Sequence, residues 1–210
     1  MIELDCDKLE GLARVRGVSD DYFPSACGQD CFLFSPEKSH IRIQDIAATL
    51  ARIPRWGGRT SAAHSAWTVA DHSLLVSKIV PRGFALFGLL HDAAEAYLGD
   101  VISPLKDVLN RGTSEGALSF SDLERTWMKE IGRRLDVPLH PLPRVVKAAD
   151  YVALELERWD LVHRRVGGEV WGHEQRPATL DEIPELKPIG DEAWAYGAFM
   201  NRYLELGGKT

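Results

Sequence analysis

The sequence predicts an all-α protein, a bundle or orthogonal array of helices in a single domain over residues 1–210. Several segments place apolar residues at helical spacing, and no segment shows the alternation of apolar and polar residues that is typical of strands. The chain length is consistent with a single domain, because 210 residues with 45% apolar content suffice for one substantial domain and are too few for two ordinary ones.

The predicted elements begin after a turn-rich stretch of about forty residues. Helices are predicted over residues 41–53, 67–80, 84–98, 103–109, 122–135, 142–164 and 191–206. Gly99 suits the C-terminal cap of the third, nearly all-apolar helix, and Ser103 suits the N-cap of the short one, with Pro104 at its first position. Residues 166–189, rich in Gly and Pro, are predicted to form a surface excursion.

Charge and hydropathy exclude several partners. The formal net charge is −6, and clustered basic residues that would hold duplex nucleic acid are lacking, although one or two local cations could still bind a small phosphate ester. The longest apolar run, residues 83–90, is far shorter than the roughly 20 residues that cross a bilayer. Because the first residues are acidic and lack a signal-peptide pattern, we expect a cytoplasmic protein.

The three cysteines, Cys6, Cys27 and Cys31, cannot all pair within one chain, and free thiols in a reducing compartment are the favoured interpretation. Cys27 and Cys31 are four residues apart, but no second pair of cysteines or histidines has matching spacing. A structural zinc site on this pair is therefore not expected.

The most informative residues are polar ones within apolar helices. His91 and Asp92 interrupt the third predicted helix, and Glu95 follows His91 by one helical turn. His72 lies on the preceding helix and Asp150 on a later one. Two imidazoles and two carboxylates suit a divalent transition ion, such as Zn, Co, Mn, Fe or Ni, with room left for water. Each residue alone has an ordinary explanation in hydrogen bonding or ion pairing, so it is the order along the helices that points to one site.

This order, His72, then His91-Asp92, then Asp150, resembles the H…HD…D signature of the HD-domain metal-dependent phosphohydrolases. The local match is closest to the 5′-deoxynucleotidase branch and to related phage-type enzymes that act on deoxynucleotides, including dATP. It is carried by TVADHSLLVS, LLHDAAEAYLGDVISPLK and VKAAD, preceded by IRIQDIAATL and RWGGRT. The resemblance implies an HD-type core over about residues 41–160 and a C-terminal helical extension over about residues 161–210.

The resemblance also implies a role for each matching residue. His72, His91, Asp92 and Asp150 would bind one metal ion, and Glu95 would orient or deprotonate the attacking water. Arg55 would hold the phosphate and Trp56 would pack near the nucleoside. Asp100 and Ser103 match positions that contact the sugar and phosphate. The resemblance further implies that Asp100 distinguishes deoxyribose from ribose.

We therefore expect an enzyme that removes phosphate from deoxynucleotides, with either a monophosphate or a triphosphate such as dATP as substrate. Two alternatives stay open: hydrolysis of a signalling nucleotide, and a non-catalytic helical module that binds a nucleotide and keeps a structural metal. Glu95 discriminates against the latter, because a purely structural site does not need an acid beside an open coordination position. The resemblance further implies assembly as a homo-oligomer, at least a dimer.

Overall fold

The computed structural model describes residues 22–60, 67–111, 118–162, 186 and 190–210. Helices dominate this part of the chain, which confirms the all-α fold class. In chain order the helices are α1 (Ile43–Leu50), α2 (Val69–Ile79), α3 (Ala85–Leu90), α4 (Glu95–Leu98), α5 (Ser103–Arg111), α6 (Phe120–Leu135), α7 (Arg144–Asp160) and α8 (Glu192–Glu205). No described helix has the length and apolar character required to span a membrane. The predicted excursion over residues 166–189 lies outside the described residues except at Leu186.

A small hairpin precedes the helices and was not predicted. Strands β1 (Tyr22–Pro24) and β2 (Asp30–Phe32) pair antiparallel, with Phe23 opposite Cys31. Each strand has only three residues, too few for a visible alternation of apolar and polar side chains. The hairpin gains its support from packing, because Cys31 is fully buried against the main core and Phe23 packs on the same core.

The helix carrying the first predicted ligand starts with a capping box. The Thr68 hydroxyl accepts a hydrogen bond from the Asp71 backbone N–H, and the Asp71 carboxylate accepts one from the Thr68 N–H in return. These two bonds satisfy donors that would otherwise be left unpaired at the start of α2. His72, whose N–H bonds the Thr68 carbonyl, therefore lies in a well-anchored first turn.

The predicted continuous helix over residues 84–98 is wrong in one respect: it is broken between α3 and α4. Across residues 91–94 the chain forms tight turns, in which Ala93 donates to the Leu90 carbonyl and Glu95 to that of Asp92. Bonds to the third preceding residue wind the backbone more tightly than an α-helix. Apolar periodicity could not reveal this break because the segment is apolar on both sides of it. Gly99 does end the segment as predicted, with a φ of 80° and its N–H bonded to the Glu95 carbonyl.

The predicted N-cap at Ser103 is also wrong by one position. Helix α5 begins at Ser103 itself, and the Ile102 carbonyl accepts the bond from Lys106 that opens the helix. Ser103 therefore lies within the first turn. The other predicted helices agree with the structure to within a few residues, apart from a somewhat earlier end at Asp160 for α7.

The core is built around α2, which packs against α3, α7 and α8. At Gly88 of α3 the two helices approach closely, because an added Cβ would lie 3.2 Å from the backbone of Ser77 on α2. A side chain at this position would press on that backbone, so glycine favours the close approach. The close contact at Gly88 brings His91, just beyond α3, next to α2 and the His72 side chain.

Candidate metal centre

The four predicted metal ligands come from three parts of the fold. His72 lies in the first turn of α2, His91 and Asp92 directly follow α3, and Asp150 lies in the first half of α7. His72 is fully buried and His91 nearly so, whereas the Asp150 side chain is 41% exposed. The two histidines therefore form the floor of the site, and Asp150 forms its solvent-facing edge.

The polar atoms of these side chains converge. His72 Nε2 lies 3.2 Å from His91 Nε2 and 3.1 Å from Asp150 Oδ1. The Asp92 Oδ2 atom is 3.2 Å from His91 Nε2 and 3.6 Å from His72 Nε2. The structure thus brings together all four residues that were predicted to hold one ion.

The outer nitrogens of both histidines are committed to hydrogen bonds. His91 Nδ1 lies 2.8 Å from the Gly88 carbonyl, which can only accept, so this nitrogen carries a proton. His72 Nδ1 lies 2.6 Å from Oε1 of Glu157, an oxygen that also accepts from the indole N–H of Trp67. His72 Nδ1 is therefore protonated as well. With both Nδ1 atoms acting as donors, the Nε2 atoms of the two rings face each other and two carboxylates. In a neutral ring this Nε2 atom carries the lone pair that can bind a metal ion.

Such a set of electron-rich atoms is stable only with positive charge among them. Burial lowers the pKa of His91, but the Asp92 and Asp150 carboxylates outweigh burial and hold the pKa well above its ordinary value. Burial raises the pKa of Asp150, but its bonds to His72 and His91 prevail and hold that pKa well below the ordinary range. His72, His91 and Asp150 form a group that could bind a metal ion, and the donor set of imidazoles and carboxylates fits one.

Sequence reasoning missed Glu157, which connects the metal centre to the loop after α1. This carboxylate is fully buried on α7, and besides His72 and Trp67 it accepts the indole N–H of Trp56 at 3.0 Å. Burial raises the pKa of Glu157, but the charge of His72 and these hydrogen bonds outweigh it and lower the pKa. Glu157 follows Asp150 by seven residues, so both acids lie on one face of α7. This spacing was the sequence signal from which Glu157 could have been identified.

Arg55, the predicted phosphate contact, lies beside Asp92, one of the four converging side chains. Its guanidinium is 3.8 Å from Asp92, 3.9 Å from Asp100 and 3.5 Å from Glu157. These distances allow ion pairing but exceed those of hydrogen bonds, and the buried Nε has no hydrogen-bond partner among the described residues. Burial disfavours the charge, but the surrounding carboxylates outweigh it and raise the pKa of Arg55. The site thus contains a fixed cation with unused donors.

The remaining predicted substrate contacts differ in how they relate to this centre. Asp100 joins it through Arg55, and Trp56 joins it through Glu157. Trp56 is held with a φ of 59°, a strained conformation for a large side chain, which its indole bond to Glu157 helps to maintain. Ser103 is exposed at the start of α5, and no contact among the described residues connects it to the four ligands.

Glu95 is a buried acid without a hydrogen bond for one of its oxygens. The residue is 7% exposed, and its Oε2 finds no hydrogen-bond partner among the described residues. Burial, followed by the negative charges of Asp92 and Asp100, raises the pKa of Glu95 well above its usual value. Glu95 also lines a cavity of about 350 Å³ together with Asp45 and Arg52. A buried carboxyl group with a raised pKa is suited to exchanging a proton with a bound molecule.

Comparison with known proteins finds relatives but no matching family model. The uncharacterized protein YfdR of Escherichia coli (strain K12) is 35% identical over 170 residues, which cover 80% of this chain and 86% of YfdR. An uncharacterized protein of Rhodobacter capsulatus is 35% identical over 140 residues, which cover 62% of this chain and 67% of that protein.

Proposed function

The chain belongs to the same family as Escherichia coli YfdR, and we propose that this member is a metal-dependent phosphohydrolase that removes phosphate from deoxynucleotides. One observation carries the proposal: the polar atoms of His72, His91, Asp92 and Asp150 converge within hydrogen-bonding or ion-pairing distance. The buried Arg55 lies beside them, and Glu95 is close enough for Asp92 to raise its pKa. The resemblance to the HD-domain phosphohydrolases supports the assignment of the reaction.

The four converging side chains would hold one divalent transition ion, for which zinc, cobalt, manganese, iron and nickel are the candidates. When bound, such an ion lowers the pKa of water and polarises a phosphoryl oxygen. The protein prepares the ligands for it, because Glu157 and the Gly88 carbonyl keep both Nδ1 atoms protonated and leave the Nε2 atoms free to ligate.

The other residues of the site have separate tasks in the proposed reaction. Glu95 takes a proton from the attacking water, whose oxygen forms a bond to phosphorus as the bond from phosphorus to the leaving oxygen breaks. The protonated Glu95 then returns this proton, so that the leaving oxygen is released as a hydroxyl group. Arg55 donates its unused N–H groups to the phosphoryl oxygens, for which the planar guanidinium is well suited. Asp100, next to Arg55, accepts a hydrogen bond from a sugar hydroxyl, and Trp56 and Ser103 are further candidate contacts of the nucleotide.

Two substrate types fit this chemistry. A deoxynucleoside monophosphate would give a deoxynucleoside and phosphate, and a triphosphate such as dATP would lose its phosphates one by one or as a unit. A hydrolase of signalling nucleotides and a non-catalytic nucleotide-binding module are the alternatives. The buried Oε2 of Glu95, which has no hydrogen-bond partner among the residues that the structure describes, favours an enzyme over the non-catalytic module, because ligand binding alone does not require such an acid.

A substrate panel tests the proposal. Metal-stripped protein is reloaded with manganese, cobalt or zinc and incubated with deoxynucleoside mono- and triphosphates of every base, with the matching ribonucleotides and with a cyclic dinucleotide. We expect phosphate release from deoxynucleotides in the presence of metal and none with chelator. Phosphate release that continues in the presence of chelator would exclude a metal-dependent reaction. Hydrolysis of the cyclic dinucleotide alone would support the signalling alternative.

The partners follow from the same proposal: the substrate is a small molecule, and nucleic acid is not expected as a partner. The cytoplasmic location stays a prediction from the sequence. Homo-oligomer formation is consistent with α5, on which Leu105, Val108 and Leu109 are all more than 40% exposed. Apolar side chains at this spacing form a stripe that a second copy could cover. Light scattering on the purified protein is expected to give at least a dimer.

A further inference from the structure

A second cluster of potential metal ligands lies away from the histidine site, where the hairpin meets α1. Cys27 lies in the turn between β1 and β2, His40 precedes α1, and Asp45 is in the first turn of α1. Each residue offers one ligand atom, and the three atoms lie within 4.8 Å of one another. A sulfur, a nitrogen and an oxygen around one point are the ligand types that zinc binds.

Asp45 already makes two contacts with Cys27. Its Oδ1 accepts the Cys27 backbone N–H at 2.9 Å, and its Oδ2 lies 3.2 Å from the Cys27 sulfur. Ligand atoms bound at about 2.0 to 2.3 Å in a tetrahedral zinc site are separated by roughly 3.3 to 3.6 Å. The sulfur and the carboxylate oxygen therefore have almost the spacing of two ligands of one ion.

His40 adds an independent observation. Its Nε2 is buried, yet it has no hydrogen-bond partner among the described residues. A buried ring nitrogen without a partner is costly, and ligation of an ion would remove that cost. The Asp45 residue is itself only 4% exposed, whereas Cys27 is exposed, so an ion could reach the cluster from the Cys27 side.

Cys31, the other described cysteine, belongs to a different environment. It is fully buried, and its sulfur lies 3.8 Å from the His40 carbonyl, to which it donates. Burial and the charge of Asp45 raise the pKa of Cys31 to about 11, so the thiol stays protonated at neutral pH. Because its sulfur is buried and donates to a backbone carbonyl, Cys31 is a matched control for Cys27.

We propose that Cys27, His40 and Asp45 form a second metal site, which takes a zinc-class divalent ion through three protein ligands and leaves one position to solvent. The thiolate ligand favours such an ion over magnesium or calcium. The ion would tie the hairpin turn to α1, and Asp45 lines the same cavity as Glu95. The ion would therefore have a structural role at the edge of that cavity. This proposal is independent of the proposed hydrolysis.

Cobalt spectroscopy on the full chain separates the two metal sites. A cobalt ion bound by a thiolate has an intense near-ultraviolet charge-transfer band, and the predicted ligands of the histidine site include no sulfur. We expect metal-stripped wild-type protein to develop this band on titration with cobalt, and zinc to abolish it by displacement. Asp150→Asn, which alters only the histidine site, is expected to keep the band.

The cysteine variants identify the ligand. Cys27→Ser, at an exposed position, is expected to lose the band, while Cys31→Ser and Cys6→Ser keep it. His40→Gln and Asp45→Asn are expected to weaken cobalt binding at this site at least tenfold, with circular dichroism confirming that each variant is folded. The proposal is overturned by a wild-type protein without the band at saturating cobalt, by a band that persists in Cys27→Ser, or by unchanged binding in folded His40→Gln. In those cases Asp45 is only a hydrogen-bonding anchor for the hairpin turn.

Discussion

Glu157 Oε1 lies 2.6 Å from His72 Nδ1, and both side chains are fully buried. The same carboxylate accepts N–H bonds from Trp56 and Trp67, so it connects α7 to α2 and to the loop that carries Arg55. Because the carboxylate only accepts, it keeps the His72 proton on Nδ1 and turns Nε2 toward His91. Glu157 is therefore a positioning residue for the proposed metal ligand.

Glu157→Gln tests this positioning role. An amide can turn its NH₂ group toward Nδ1 and thereby disturb the tautomer of His72, so we expect metal affinity to fall by about 10- to 100-fold. Calorimetric titration measures the affinity, and activity should return at high metal concentration if the fold is intact. Glu155→Gln, on the same helix and paired with Arg158, is the control and should bind metal normally. Equal metal affinities in the two variants would show that Glu157 does not position His72 for metal binding.

Glu95→Gln separates the proposed proton transfer from metal binding. The amide cannot take a proton from water, so kcat should fall by about 10²- to 10⁴-fold. The metal content, measured by elemental analysis, should stay unchanged because Glu95 is not a proposed ligand. Glu205→Gln, on the exposed face of α8, serves as the control. Full turnover in Glu95→Gln would show that another group acts as the base.

Arg55→Lys tests the proposed phosphate contact. Lysine keeps the positive charge near Asp92 and Asp100 but lacks the planar pair of donors, so we expect inorganic phosphate to inhibit about tenfold more weakly, which corresponds to about 1.4 kcal/mol. The measurement is the inhibition constant of phosphate in the hydrolysis assay. Arg59→Lys, an exposed change on the same loop, should leave that constant unaltered. Identical inhibition in both variants would place the phosphate elsewhere.

Asp100→Asn addresses sugar selection. If the Asp100 carboxylate favours deoxyribose, its replacement should lower the ratio of kcat/KM for deoxynucleotide over ribonucleotide by about tenfold or more, about 1.4 kcal/mol in transition-state binding. Parallel assays with the two sugars give this ratio. Asp107→Asn, an exposed change on α5, provides the comparison. A ratio that does not change in Asp100→Asn would assign the discrimination to other residues.

The fold class and the convergence of the four candidate ligands could be predicted from sequence because both depend on local patterns. Helical spacing predicts the helices, and polar residues within apolar helices indicate where the helices face a shared site. His72 and Asp150 are 78 residues apart, yet each interrupts an apolar face, and the structure places their polar atoms 3.1 Å apart.

Other features depend on contacts between distant segments, and local sequence patterns alone did not identify them. The role of Glu157 arises because Trp56 and Trp67 fold against α7, although its spacing from Asp150 was visible in the sequence. The break between α3 and α4 lies within an unbroken apolar pattern. The buried nitrogen of His40 is likewise a product of packing between the hairpin and α1, and its surroundings cannot be inferred from a lone histidine.

Anomalous X-ray scattering from crystals grown with manganese would locate the proposed ion. We expect one strong peak among His72 Nε2, His91 Nε2, Asp92 and Asp150, at bonding distance from all four side chains, and loss of that peak in Asp150→Asn crystals. A map at saturating metal without a peak among these four side chains would rule out the proposed metal site.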